Sequence, residues 1–175
     1  MTETSCSTPL VLAGPILRRV DEHKVALWLA VTQPVTARFS ILSDGYEQQD
    51  FHLDDHFKNF RNIKAGEKLY FLLIDITLKS PLPKDQWIDY TIELKTDNGD
   101  WLNLAQSTPE ICYPTRTSLG FILPSRVGSV LHGSCRKPHH QSGDGLVEAD
   151  ALLEKLIEKT EPNLPTWPSM LVLSG

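Results

Sequence analysis

The stretch "WIDYTIELKT" (residues 87–96) constrains the fold of this chain more than any other part of the sequence. Every second residue from Ile88 to Leu94 is apolar, and the residues between are polar. A period of two gathers apolar side chains on one face of a strand, whereas a helix would scatter them. Asn98–Gly99 follows at once and is a strong hairpin-turn signal. We therefore predict a half-buried antiparallel strand that turns back through a hairpin.

Three more stretches before residue 125 are rich in strand-forming residues. They are "VALWLAV" (residues 25–31), "ARFSIL" (residues 37–42) and "KLYFLLIDITL" (residues 68–78). Turn signals separate them, and no convincing helix pattern interrupts them. Short strands joined by frequent turns predict a mainly β protein with a β-sandwich of immunoglobulin or fibronectin-III type. We expect Trp28 and Trp87 in its core.

The sequence changes character in "PEICYPTRTSLGFILPSRVGS" (residues 109–129). Three prolines and two glycines break this stretch, which we interpret as a connection between domains. The predicted domains are a β-sandwich over residues 1–124 and an α/β unit over residues 125–175.

The α/β unit reads as strand, helix, strand. "SVLHGS" (residues 129–134) and "SMLVLSG" (residues 169–175) predict two buried strands. Apolar residues recur at helical spacing from Leu146 to Ile157. A β-α-β order predicts a parallel pair of strands.

A parallel sheet needs cover on both faces, and one helix with two strands cannot supply it. We therefore expect residues 125–175 to be the incomplete beginning of a larger α/β domain. The alternative is a small α/β appendage packed on the sandwich. Exposed apolar sheet surface in such a fragment predicts self-association.

Reactive residues are concentrated in the loop between the first α/β strand and the helix. Cys135 follows the strand end, which is where α/β proteins place their ligand sites. Arg136, Lys137 and a helix N-terminus nearby would favour the thiolate form of Cys135. Cys135 is thus a candidate metal ligand or nucleophile, and the alternative is an inert, buried cysteine.

The spacing of residues around Cys135 excludes several known kinds of cysteine or phosphate site. A tyrosine-phosphatase loop needs arginine six residues after its cysteine, and that position is Gln141. No Walker loop is present. A closed zinc site needs four ligands, and Cys135, His139 and His140 offer at most three. A partial metal site remains, in which a thiolate suits iron or zinc.

The same loop carries a cationic cluster. Its members are Arg136, Lys137, His139 and His140. Beside a helix N-terminus such a cluster can bind phosphate, although it can equally be a solvated loop. We expect Asp144 to be a helix N-cap rather than a catalytic acid, and His132 to be a satisfied core histidine.

Composition excludes some partners. The formal net charge is -5, so no general nucleic-acid binding is expected. The sequence has neither a transmembrane run nor a signal-peptide pattern, which predicts no membrane partner. Three widely spaced cysteines do not form a disulfide framework. We therefore expect a cytoplasmic location.

A resemblance emerges from three stretches that follow the strand-rich part. They are "HGSCRKPHH" (residues 132–140), "GDGL" (residues 143–146) and "PSMLVLSG" (residues 168–175). Together the chain resembles the PhoD-like metallophosphatases, the alkaline phosphatase D group of the calcineurin-like phosphoesterases. The sandwich match is architectural only. The later match is more specific, because Ser-Cys stands where many calcineurin-like enzymes have Asp-x-His.

The resemblance implies a two-metal phosphoesterase site that holds iron and a second divalent ion, often calcium. Cys135 matches the iron-ligating cysteine, and Gly175 matches the glycine of a Gly-Asp pair. The aspartate and the other ligands would follow residue 175. We therefore expect an N-terminal part of a metal-dependent phosphoric-ester hydrolase that is inactive and metal-free by itself. The alternative is a non-catalytic β-sandwich interaction module with a short α/β tail.

Overall fold

The computed structural model of the chain describes residues 8–134, 143–157 and 167–174. The strands within these ranges are β1 (Val11–Asp21), β2 (Lys24–Val31), β3 (Thr36–Ser43), β4 (Tyr46–Leu53), β5 (Phe60–Gly66), β6 (Leu69–Thr77), β7 (Trp87–Lys95), β8 (Leu102–Asn103), β9 (Leu119–Ile122), β10 (Val130–Gly133) and β11 (Met170–Leu173). The helices are α1 (Leu104–Ser107) and α2 (Gly145–Ile157), with a 3₁₀ turn at Pro109–Ile111.

Strands β1 to β9 form two antiparallel sheets. One sheet has the order β1-β2-β6-β5, and the other has the order β4-β3-β7-β8 with β9 also beside β7. Both sheets contribute side chains to one hydrophobic core. The prediction of a mainly β protein is confirmed, and two antiparallel sheets around a shared core are consistent with a β-sandwich. We call this part of the chain the two-sheet unit.

The alternation predicted for residues 87–96 is present in β7. Ile88, Tyr90, Ile92 and Leu94 are buried, whereas the residues between them are partly exposed. In the facing sheet, β2 buries Val25, Leu27, Leu29 and Val31 in the same way. Removing these side chains from water is the main force that holds the sheets together, at about 25 cal/mol per Å² of apolar surface. The predicted hairpin is also present, because β7 pairs antiparallel with β8.

Two predictions about the two-sheet unit are wrong. Trp28 is not a core residue, because it alternates with the buried residues of β2 and contacts Phe71 edge-on at 6.0 Å. Residues 109–129 are not only a connection, because they contain β9. Gly120 and Phe121 pair with β7, and Phe121 is 8% exposed. Burial of β9 against β7 outweighs the prolines on either side of it.

Strands β10 and β11 pair in parallel on either side of α2 in the sequence. Leu131 lies opposite Leu171, and Gly133 lies opposite Leu173. The prediction that both strands are buried is wrong, since all four residues of β11 are exposed. A two-stranded sheet leaves its faces open unless other elements cover them. Neither described helix is long and apolar enough to span a membrane.

Candidate functional site

The carboxyl ends of β10 and β11 lie side by side. Because the strands are parallel, Gly133 and Leu173 end in register, and the backbone N–H of Ser174 donates to Gly133 O at 3.0 Å. His132 Nε2 lies 3.0 Å from Ser174 Oγ. His132 is exposed, so the expectation of a core histidine is wrong. The edge of a parallel sheet at its carboxyl end is where ligands bind in α/β proteins.

Helix α2 begins directly after Asp144. The Leu146 backbone N–H donates to the Asp144 carboxylate at 3.0 Å. The carbonyl of Asp144 also accepts from Val147 N–H at 3.0 Å. These bonds satisfy amides that the first turn of a helix leaves unpaired. The prediction that Asp144 is an N-cap is confirmed.

The predicted site residues themselves lie outside the described residues. These are Cys135, Arg136, Lys137, His139 and His140, together with Gly175. Their roles as metal ligand and phosphate-binding cluster stay predictions. Among the described residues, no three His, Cys, Asp or Glu side chains are grouped so that they could hold a metal ion. Among the described residues at the two strand ends, His132, Ser134 and Ser174 include no carboxylate.

A cleft that sequence patterns do not indicate lies beside β9. It has a volume of about 300 Å³ and lies between β1, the sheet edge formed by β7 and β9, and the segment after the 3₁₀ turn. The lining side chains that matter most are Pro15, Trp87, Tyr90, Cys112, Tyr113 and Leu119. They come from four separate parts of the chain, so no local motif marks the cleft.

Trp87 forms a wall of this cleft and is fixed from three sides. Its indole N–H donates to Asp89 at 2.8 Å. The Arg116 guanidinium lies 4.5 Å from the ring centroid, and Trp167 contacts the ring edge-on at 6.1 Å. Trp87 was predicted in the core, but it is only partly buried. Trp167 therefore connects the segment before β11 to the two-sheet unit.

Cys112 and Tyr113 bring the cleft close to α2. The Tyr113 hydroxyl donates to Asp150 of α2 at 3.1 Å. Burial, followed by the nearby Asp150 carboxylate, raises the pKa of Tyr113. Burial also raises the pKa of the Cys112 thiol. Both groups are therefore neutral at physiological pH.

Tyr90 of β7 also lines the cleft. Its side chain is 6% exposed, and its ring stacks on Phe39 with centroids 5.9 Å apart. No residue in the described part of the chain forms a hydrogen bond with its hydroxyl. Burial, followed by neighbouring Cys112, raises the pKa of this phenol. The sequence identified Tyr90 as a core residue, but not the cavity beside it.

A second aromatic cluster lies on the outer face of the β4-β3-β7-β8 sheet. The Arg38 guanidinium lies 3.9 Å from the centroid of the Trp101 ring, and Lys95 Nζ lies 5.9 Å away. His52 contacts the same ring edge-on at 6.1 Å. Glu93 lies 3.7 Å from Arg38. Cation–π contact explains why Trp101 is held on a polar face.

Comparison with known proteins identifies no family for this chain. No protein-family model matches the chain, and no curated protein matches it. The chain is similar to a solved structure of the archaellum periplasmic stator protein complex FlaF and FlaG from Sulfolobus acidocaldarius, with 16% identity and a TM-score of 0.36. The match covers 59% of this chain and 93% of that one. Similarity this low carries no argument about fold or function.

Proposed function

We propose that this chain is the N-terminal part of a metal-dependent phosphoric-ester hydrolase. In this proposal the two-sheet unit is a sandwich of immunoglobulin or fibronectin-III type, and β10, α2 and β11 begin the catalytic α/β domain. Cys135 is a ligand of the iron site, and Arg136, Lys137, His139 and His140 face the phosphate ester. The cytoplasmic location expected from the sequence belongs to the same proposal.

One observation carries this proposal: β10 and β11 are adjacent parallel strands that end in register. Cys135 follows β10 by two residues, and Gly175 follows β11 by two residues. Adjacent strand ends bring the residues that follow them to one edge of the sheet. In the family that the chain resembles, the cysteine thiolate and the Gly-Asp carboxylate must lie close together in this way to bind the metal ions.

Exposure of the β10-β11 pair also supports the proposal. Leu171 is 51% exposed and Leu173 is 52% exposed. A small self-contained tail, as in the alternative of an interaction module, would be expected to cover such side chains. An α/β domain with further strands and helices would bury them.

The reading frame beyond codon 175 provides a direct test. We expect the next codon to encode aspartate, with further carboxylate, asparagine and histidine ligands downstream. Protein expressed from the whole frame should contain iron and hydrolyse p-nitrophenyl phosphate. Cys135→Ser should lose the iron and lower the hydrolysis rate by at least about 100-fold, because loss of even supporting groups around a metal costs 10- to 100-fold.

The matched control is Cys6→Ser, which makes the same change at a cysteine outside the predicted site. It should keep both iron and activity. A frame without the aspartate, or equal iron content in the two variants, would contradict the proposal. The first of these outcomes would favour the non-catalytic interaction module.

A further inference from the structure

The cleft beside β9 has an uncharged lining. Glycine, proline, aromatic, aliphatic, serine and cysteine residues line it, and none of the described lining residues carries an acidic or basic side chain. Arg116 is engaged with the face of Trp87, and Asp89 accepts from the indole N–H. An ionised ligand would lose its hydration in this cleft without gaining a partner of opposite charge. The lining therefore selects a neutral ligand.

Tyr90 contributes a polar group to the lining of the cleft. Tyr90 is 6% exposed, and its hydroxyl bonds to no described residue. A ligand atom that forms a hydrogen bond with this hydroxyl replaces the hydrogen bond that the hydroxyl otherwise makes to water. Stacking on Phe39 and a tilted contact with Phe121 at 6.0 Å hold the ring in place. The hydroxyl is therefore a fixed hydrogen-bonding group at the cleft.

The walls of the cleft are also fixed before any ligand arrives. Trp87 is held by Asp89, Arg116 and Trp167. Its ring lies directly against Gly120, where an added Cβ would be 2.5 Å from ring atoms. A preformed site loses little conformational entropy when it binds a ligand.

The volume limits the size of the ligand. A cavity of about 150 Å³ accommodates benzene. The cleft, at about 300 Å³, has room for roughly two fused rings. Flat side chains such as Trp87 favour a planar compound, because aromatic rings pack well in offset or edge-on contact.

We propose that the cleft binds a neutral, planar ring compound of about two fused rings, with one polar atom that forms a hydrogen bond with the Tyr90 hydroxyl. The site is in the two-sheet unit and is separate from the strand ends that carry the proposed phosphoesterase function. The two proposals therefore succeed or fail independently.

Indole is a suitable probe, because it is neutral and bicyclic and its N–H can donate to the Tyr90 hydroxyl. We expect isothermal titration calorimetry to show saturable one-to-one binding to the chain. Tyr90→Phe removes only the hydroxyl and no described protein hydrogen bond, so the variant should fold and bind indole about 3- to 10-fold more weakly. Tyr70→Phe makes the same change in β6, outside the cleft, and should bind like the wild type.

Two further measurements make the test independent of the variant. Indole-2-carboxylate should bind at least about 10-fold more weakly than indole, since its charge must be desolvated. Indole should slow alkylation of Cys112 by N-ethylmaleimide in the wild type, as measured at that residue by peptide mass spectrometry. Absence of saturable indole binding, equal affinity of Tyr90→Phe and the wild type, or equal binding of the carboxylate would each overturn the proposal.

Discussion

Single residues in this chain gain their roles from neighbours that are distant in sequence. Tyr90 belongs to the buried face of β7, yet its hydroxyl opens onto a cleft whose other walls come from β1, β9 and residues 111–113. Asp144 is different, because its role depends on amides two and three residues away. Local pairs such as this N-cap can be predicted, whereas the environment of Tyr90 cannot.

Burial of Tyr90 predicts a loss of stability at alkaline pH. In the unfolded chain tyrosine ionises at about pH 10, and burial raises the pKa of Tyr90 in the folded state. The stabilisation is therefore fully present below about pH 10 and is lost as the pH rises towards the folded-state pKa, by up to about 1.4 kcal/mol per pH unit. The free energy of unfolding of Tyr90→Phe should therefore fall less than that of the wild type as the pH rises. Urea unfolding followed by circular dichroism at pH 9, 10 and 11 measures this difference. Parallel curves for the two proteins would contradict this prediction.

Individual strands follow their sequence patterns where one face meets the core. In β6, Leu72 is fully buried and Leu73 is 41% exposed on the opposite face. The pleat alone produces this difference, because successive side chains of a strand point in opposite directions.

The neighbouring leucines of β6 provide a matched pair of variants. Leu72→Ala should lower the free energy of unfolding by about 2–5 kcal/mol, because it removes buried methyl groups and leaves a cavity between the sheets. Leu73→Ala should lower it by less than about 1 kcal/mol, because its side chain already contacts water. Urea unfolding at neutral pH measures both, and similar losses for the two variants would show that β6 does not face the core as described.

Elements that depend on a neighbour were predicted less well. Strand β9 lies in a stretch with three prolines, and only its pairing with Trp87–Tyr90 of β7 reveals it as a strand. Strands β10 and β11 were predicted from their apolar residues, but apolar residues do not reveal whether anything covers them. The helix between them was predicted well, because its repeat from Leu146 to Ile157 is a local property.

At the scale of the whole molecule, the two-sheet unit and the β10-β11 pair differ in how much apolar surface they cover. The first buries a continuous core from both sheets. The second exposes Val130 (47%) and Met170 (49%) in addition to the leucines of β11. Apolar side chains exposed on a strand pair in this way favour association between molecules.

We therefore expect the 175-residue chain to self-associate through the β10-β11 pair. Sedimentation velocity at roughly 100 µM should show species larger than the monomer, in the concentration range where exposed apolar surfaces associate. Leu171→Lys should shift the distribution towards the monomer, because it places a charge on the exposed face. Val127→Lys, at a 65% exposed position outside the strands, should have no such effect. A monomeric wild type, or an equal effect of the two variants, would exclude this surface as the interface.

The sequence by itself determined the mainly β character, the strands β2, β3, β6 and β7, the hairpin after β7, the helix α2 and its N-cap at Asp144. Each of these rests on spacing within about ten residues, where periodicity and turn chemistry act. The tertiary structure alone decided that β9 joins the sheet, that Trp28 faces outward, that β11 is exposed, and that a cleft forms around Tyr90. These features depend on which distant segments meet, and burial in a shared core decides that rather than any local preference.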